Sequence, residues 1–146
     1  MKWLWKKGEV VDPAALGTPA VDTDYALCVF DRSGGTPDLV ASYSVPASAS
    51  AWKVKPTKLK YVDKTGSADG ITLAKTKALS LPNKSGFMMK GSGGNLTLPT
   101  AFSGSEFFDV DTSLTVQALN SIGTCWSTDF TTAKKNTATK FKAVAP

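Results

Sequence analysis

Asp24-Tyr25-Ala26-Leu27-Cys28-Val29-Phe30-Asp31 and the distant Gly123-Thr124-Cys125-Trp126 are the stretches that decide the fold this sequence predicts. Each has the aromatic and β-branched content of a short strand, and each carries one of the two cysteines of the chain. A Cys28–Cys125 disulfide would close a loop of nearly the whole chain, which the chain-entropy model credits with about 4–5 kcal/mol of stabilisation. We therefore predict this disulfide and an oxidising compartment, and two buried thiols are the alternative.

Along the rest of the chain, clusters of glycine, proline, serine and aspartate separate short segments in which polar and apolar residues alternate. This pattern predicts about ten short strands, with a turn about every eight to twelve residues and no amphipathic helix. The predicted fold class is all-β, an antiparallel β-sandwich that is immunoglobulin-like or jelly-roll-like. The predicted strands are 2–7, 24–31, 38–45, 51–55, 58–62, 71–79, 86–90, 95–98, 112–119, 124–130 and 138–143.

The length of 146 residues predicts a single domain, 1–146, that is large enough to bury a core of its own. Within it we expect an N-terminal strand at 2–7, a linker over the surface at 8–23 and the body of the domain at 24–146. Asp12 and Pro13 predict one helical turn in the linker, with the aspartate as N-cap. The apolar blocks are all far shorter than a membrane span, so we expect no transmembrane segment.

The chain contains no histidine, the commonest general base and metal ligand. Its absence excludes a Cys–His nucleophile and a Ser–His–Asp triad. Paired carboxylates stay possible in principle, but the acids lie at predicted strand ends and turns, where aspartate caps the backbone. The sequence therefore predicts a protein that is not an enzyme and has no cofactor. A calcium ion between Asp109 and Asp111 is a weak alternative to turn capping.

Lysines recur two or three residues apart in three predicted strands, and alternation places each set on one face of a sheet. Such a face could bind a glycan or another acidic polymer, a nucleic acid or a membrane surface. The alternative is a solvated face whose lysines discourage edge-to-edge pairing. Sixteen lysines against a single arginine argue against specific nucleic-acid recognition, because arginine makes the bidentate contacts. The lysines are Lys53, Lys55, Lys58, Lys60, Lys75 and Lys77.

Three aromatic residues of the body have alternative roles. We expect Trp126, beside Cys125, to pack on the disulfide, as aromatic residues do in sandwich folds. Trp52 and Tyr43 could form an exposed platform for stacking on sugars, or they could pack in the core.

The N-terminal strand carries Trp3, Leu4 and Trp5, with the two tryptophans on one face at the start of the sequence. This strand could complete the sheet of its own chain, or it could cross to a neighbouring copy and add a strand there. In the second case the partner is a further copy of this chain, and the protein polymerises as a fibre or surface filament.

The stretches that carry a resemblance are 3–5, 24–31, 59–64, 69–71, 90–99, 114–117, 125–126 and 135–142. In order along the chain, they resemble uncharacterised β-rich domains of predicted secreted bacterial proteins. The resemblance implies a β fold and a secreted, extracellular or cell-surface location, and it implies no activity. Together with the exclusions above, it predicts a structural or assembly module, and a module that binds glycans or anionic polymers is the alternative.

Overall fold

The computed structural model describes residues 1–32, 34–100, 104–108 and 113–144. These residues form eleven β-strands and one 3₁₀ turn, Pro13–Leu16, so the all-β class is confirmed. The strands are β1 Lys2–Gly8, β2 Tyr25–Asp31, β3 Asp38–Val45, β4 Trp52–Lys55, β5 Lys58–Val62, β6 Ile71–Lys77, β7 Ser85–Gly91, β8 Leu114–Asn120, β9 Cys125–Phe130, β10 Ala133–Thr137 and β11 Lys140–Ala143.

The strands form three sheets. A five-stranded antiparallel sheet has the order β1-β7-β6-β5-β4, and a four-stranded sheet has the order β3-β2-β8-β9. Strands β10 and β11 pair with each other as a separate antiparallel hairpin. Residues 95–98 form no strand, and β10 begins at a polar stretch that the sequence analysis did not predict as a strand.

The chain divides into two compact units. The first contains residues 1–27, 43–97 and 118–126, and the second contains residues 28–42, 98–117 and 127–146. Strands β2, β3, β8 and β9 each contribute residues to both.

The core of the first unit is a cluster of aromatic rings centred on Phe87 of β7. Its ring lies 5.1 Å from that of Trp126 and 5.7 Å from those of Trp3 and Tyr25, in edge-to-face geometry. All four side chains are buried. Phe87 and Trp3 belong to the five-stranded sheet, whereas Tyr25 and Trp126 belong to the four-stranded sheet, so aromatic packing joins these two sheets within the unit.

Within residues 8–23, predicted as a linker over the surface, the side chains of Val11, Leu16, Pro19 and Thr23 are buried in the first unit. The predicted helical turn is present: Asp12 caps it by accepting a hydrogen bond from the Ala14 backbone N–H at 2.9 Å. The turn buries Leu16, whose carbonyl accepts a 2.7 Å hydrogen bond from the Tyr25 hydroxyl. The amide of Asn120 donates to the Ala15 carbonyl at 2.8 Å, which fixes the turn from a second side.

In the second unit, Asn136 of β10 holds residues 106–108 against the β10–β11 hairpin. Its side-chain oxygen accepts from the backbone N–H groups of Phe107 and Phe108, at 2.9 and 3.3 Å. Its amide donates to the Phe108 carbonyl at 2.8 Å, and the Phe108 ring packs edge-to-face on Phe141 of β11, with centroids 4.7 Å apart.

Candidate functional site: a lysine face on the five-stranded sheet

The structure brings the six lysines singled out in the sequence onto one face of the five-stranded sheet, in direct cross-strand register. We call this surface the lysine face. Its first row runs across β4, β5 and β6 as Lys53, Lys60 and Lys75, because each lysine pairs with the next. Its second row is formed in the same way by Lys55, Lys58 and Lys77. All six side chains are exposed.

Alternation along each strand fixes these positions. In β5, the exposed Lys58 and Lys60 alternate with Leu59 and Tyr61, which are buried on the opposite face. A one-residue slip would bury the charges and expose the apolar side chains, so burial of the inner face holds the register. Val54 of β4 has the inward parity but is 48% exposed, because β4 is the edge strand of the sheet.

The charge of this sheet is of one sign. The five strands contain ten lysines and no aspartate or glutamate. The one ion pair found in the described part of the chain, Arg32 with Asp129 at 3.8 Å, lies outside this sheet. Like charges directly opposite each other on a sheet are destabilising. The lysine face therefore concentrates positive charge that no ion pair with the described residues compensates.

The same face extends beyond the six predicted lysines. Lys90 of β7 is paired with Lys2 of β1 and with Leu73 of β6, which places two more lysines on the outward side. Lys2 and Lys90 were not predicted as part of this face, since each is a single outward lysine whose neighbours become known only with the pairing of β1, β7 and β6. Leu4 and Met88, which pair with each other on this side, are half-buried.

Of the two alternatives for Trp52 and Tyr43, core packing is confirmed and the exposed sugar-stacking platform is not present, because both side chains are buried. Trp52 is 3% exposed; its ring lies 5.2 Å from those of Tyr25 and Tyr61, and its indole N–H donates to the Pro46 carbonyl at 3.1 Å. Tyr43 is 2% exposed, and its hydroxyl donates to the backbone of residue 97 at 2.8 Å.

The predicted disulfide is also wrong, since Cys28 and Cys125 are both thiols. The physical reason is the sheet order: Cys28 is on β2 and Cys125 is on β9, and β8 lies between these strands. Two strand spacings amount to about 9–10 Å, beyond the Cα separation that a disulfide spans. Trp126 consequently packs on no disulfide; it stacks on Tyr25 and meets Phe87 in the core.

The N-terminal strand completes the sheet of its own chain. Trp3, Leu4 and Trp5 of β1 pair with residues 87–89 of β7, and Trp3 is 5% exposed. The ladder extends to the chain end, where the Met1 ammonium group donates to the Gly91 carbonyl at 2.7 Å and the Met1 carbonyl accepts from the Gly91 N–H at 3.1 Å. Exchange of β1 between copies stays a prediction.

The calcium site suggested for Asp109 and Asp111 lies outside the described residues. Among the residues that are described, no group of three or more His, Cys, Asp or Glu side chains is placed to hold a metal ion.

A cavity of about 430 Å³ lies in the first unit beside the turn that follows β5. Asp63 lies in its lining with both carboxylate oxygens engaged, accepting hydrogen bonds from the backbone and hydroxyl groups of Thr65 and Ser67 and from the Tyr61 hydroxyl. Hydrogen bonds from Thr65 and then Ser67 hold the pKa of the Asp63 carboxyl well below its usual range. This arrangement caps the turn that follows β5.

Burial raises the pKa of Tyr61 to about 12, with the Asp63 charge and its hydrogen bond acting in the same direction. Burial also raises the pKa of Tyr25 to about 12. The folded state therefore favours the protonated form of both tyrosines. Their contribution to stability is complete below the unfolded pKa of 10.0 and is lost as the pH rises towards about 12.

We expect the free energy of unfolding to fall less steeply between pH 10.0 and about 12 in Tyr61→Phe than in the wild type. Urea titrations at a series of pH values measure it, and the paired comparison cancels the change in lysine charge.

In the described part of the chain, no helix is long and apolar enough to cross a membrane. No family model, no curated protein and no solved structure matches this chain.

Proposed function

We propose that this chain is a non-enzymatic, extracellular β-sandwich module that binds linear acidic polysaccharides through the lysine face. The observation that carries the proposal is the pair of rows in which three lysines stand directly opposite one another across β4, β5 and β6. A bound polyanion would neutralise this repulsion, whereas in the free protein the repulsion costs stability.

The position of the lysines within the sheet argues against a purely protective role. Lysines discourage aggregation when they lie on edge strands, where backbone groups are unpaired. Of the three strands that carry the rows, only β4 is an edge strand; β5 and β6 are paired on both sides. Four of the six lysines are therefore on interior strands, where they protect no edge.

The composition of the face favours an acidic polysaccharide over a nucleic acid. Its charges are all lysines, which act as point charges and do not form the bidentate contacts by which arginine reads phosphate and bases. No aromatic side chain has an outward position in the pairing of the five strands, so the face offers no platform for base stacking. Neighbouring strands are about 4.8 Å apart, which gives a regular array suited to regularly spaced carboxylates or sulfates.

A membrane surface is less well matched. Peripheral membrane binding combines basic residues with apolar side chains that enter the headgroup region. Of the outward apolar residues, Leu4, Leu73 and Met88 are half-buried in the sheet. Val62 of β5 is 36% exposed, so the face offers one short apolar side chain and no large one for such an insertion.

Reversal of two charges at the centre of the face tests the proposal. We expect Lys58→Glu/Lys60→Glu to bind polygalacturonate at least about 100-fold more weakly at low salt, at about 1 kcal/mol for each unit of charge. The same variant should be more stable by about 1–2 kcal/mol, because each glutamate faces lysines on both neighbouring strands. Isothermal titration calorimetry measures the first effect and urea denaturation the second.

Lys64→Glu/Lys84→Glu is the matched control, since both lysines are exposed, lie outside the strands and change the net charge equally. We expect this variant to lose only a few-fold in affinity and to keep the wild-type stability. If the two variants lost the same affinity for polygalacturonate, binding would depend on net charge alone and the proposal would be overturned. Stronger binding to vesicles of anionic phospholipid than to polygalacturonate would show that the ligand of the lysine face is a membrane surface and not a polysaccharide.

The extracellular location rests on the resemblance to secreted bacterial domains, since the disulfide that also supported it is absent.

Assembly through donation of β1 to a neighbouring copy is the second candidate function. It is favoured by the edge position of β1 in the five-stranded sheet, from which a strand can be exchanged without disrupting other pairings.

A further inference from the structure

A second lysine surface lies in the second unit, on the β10–β11 hairpin. Lys135 of β10 is directly opposite Lys142 of β11, and Lys140 follows on the same side at the turn, opposite Thr137. The three lysines are exposed. Residues 133–143 contain no aspartate or glutamate. The hairpin therefore repeats, on a separate element, the like-charge register of the lysine face.

The opposite side of the hairpin is occupied, and this fixes the direction in which the lysines point. Asn136 and Phe141 are paired with each other on that side. Asn136 binds the backbone of Phe107 and Phe108, and Phe141 packs on the Phe108 ring. Because alternation places neighbouring residues on opposite sides of a strand, Lys135 and Lys142 face away from these contacts.

No ion pair to the hairpin lysines is present within residues 1–32, 34–100, 104–108 and 113–144. The carboxylate of Glu106 contacts the hairpin on its other side, where it accepts from the amide of Asn136 at 3.5 Å. An isolated two-stranded hairpin is only marginally stable in water, so a directly opposed lysine pair is costly in this element. The contacts of Asn136 and Phe141 offset that cost and hold the hairpin in place with its lysines exposed.

We propose that the β10–β11 hairpin is a second binding site for the same class of ligand, a linear acidic polysaccharide. This inference rests on the proposed function of the lysine face. With one basic surface in each unit, a single copy of the chain binds two polysaccharide segments and cross-links long polymers.

The test is the stoichiometry with which the full chain binds a short oligogalacturonate, measured by isothermal titration calorimetry at low salt. We expect two sites per chain in the wild type, one in Lys135→Gln/Lys142→Gln and one in Lys58→Gln/Lys60→Gln. The control Lys64→Gln/Lys84→Gln should keep two. With long polygalacturonate, light scattering should rise on mixing with the wild type and the control but not with either single-surface variant.

A wild-type stoichiometry of one that is unchanged in Lys135→Gln/Lys142→Gln but lost in Lys58→Gln/Lys60→Gln would overturn the hairpin site and leave the lysine face standing. Loss of all binding in the hairpin variant would also overturn the two-site inference. Binding that survives unchanged in Lys58→Gln/Lys60→Gln would remove the proposed function itself. Every substitution is at an exposed position, so we expect each variant to fold. Circular dichroism checks this.

Discussion

The variant Phe87→Ala is expected to lose about 3–5 kcal/mol of folding free energy, the usual cost of removing a fully buried aromatic ring. Phe87 is 1% exposed, and its ring contacts those of Trp3, Tyr25 and Trp126. Its loss leaves a cavity where the aromatic side chains of the two larger sheets meet. Urea denaturation followed by tryptophan fluorescence measures the effect, because two of the three ring partners are tryptophans.

Met88→Ala is the matched control, since Met88 is the next residue of β7 and its side chain is half-buried on the outer face. We expect it to cost less than about 1 kcal/mol, because truncating a half-buried side chain on the outer face leaves no enclosed cavity. If Phe87→Ala cost no more than Met88→Ala, the aromatic cluster would not be the core of the first unit.

Deletion of residues 1–8 is expected to lower the free energy of unfolding by at least about 3–5 kcal/mol, because it removes the buried Trp3 ring and the whole β1–β7 ladder. With β1 completing its own sheet, the intact chain should be a monomer at every concentration in light scattering. Concentration-dependent assembly of the intact chain, lost on deletion, would instead show that β1 acts in trans. The function would then be assembly through exchange of β1 between copies, and the pairing of β1 within its own chain would not be the state in solution.

The deletion also exposes the edge of β7, and an uncovered edge can itself cause aggregation. A pair of point variants avoids this problem. Trp3→Ala removes a buried ring, whereas Leu4→Ala removes a half-buried side chain from the outer face of the same strand. We expect a large loss of stability only in Trp3→Ala, and a monomeric mass for both. Equal losses would contradict the inward orientation of Trp3.

In the lysine face, the proposed binding of a polyanion and the stability of the sheet favour different charge arrangements. A sheet of this size would be more stable with opposite charges across β4, β5 and β6, and such substitutions are readily found for most proteins. The chain places like charges there instead, and the inner face offsets the cost by burying residues such as Leu59 and Tyr61. The proposed ligand is what would make this arrangement favourable.

Local alternation in the sequence was sufficient to predict most strands and the exposure of their lysines. Side chains in a strand alternate between two faces, so Lys58 and Lys60 must share a face whichever strands flank them. The Asp12 cap was predictable for the same reason, because an N-cap involves only residues a few positions apart. Two failures were also local: the polar composition of Ala133–Thr137 concealed β10, and residues 95–98 form no strand.

Only the tertiary structure decided which strands are neighbours, and that order decided the rest. The two cysteines lie in strands that were correctly predicted, yet β8 separates those strands and no disulfide forms. Tyr43 and Trp52 could have faced either side of their strands, and packing placed both in the core. The opposed lysines of the face and of the hairpin, such as Lys135 and Lys142, likewise became visible only with the register. Register joins residues that are distant in sequence, so it depends on the burial of a whole face and not on any local pattern.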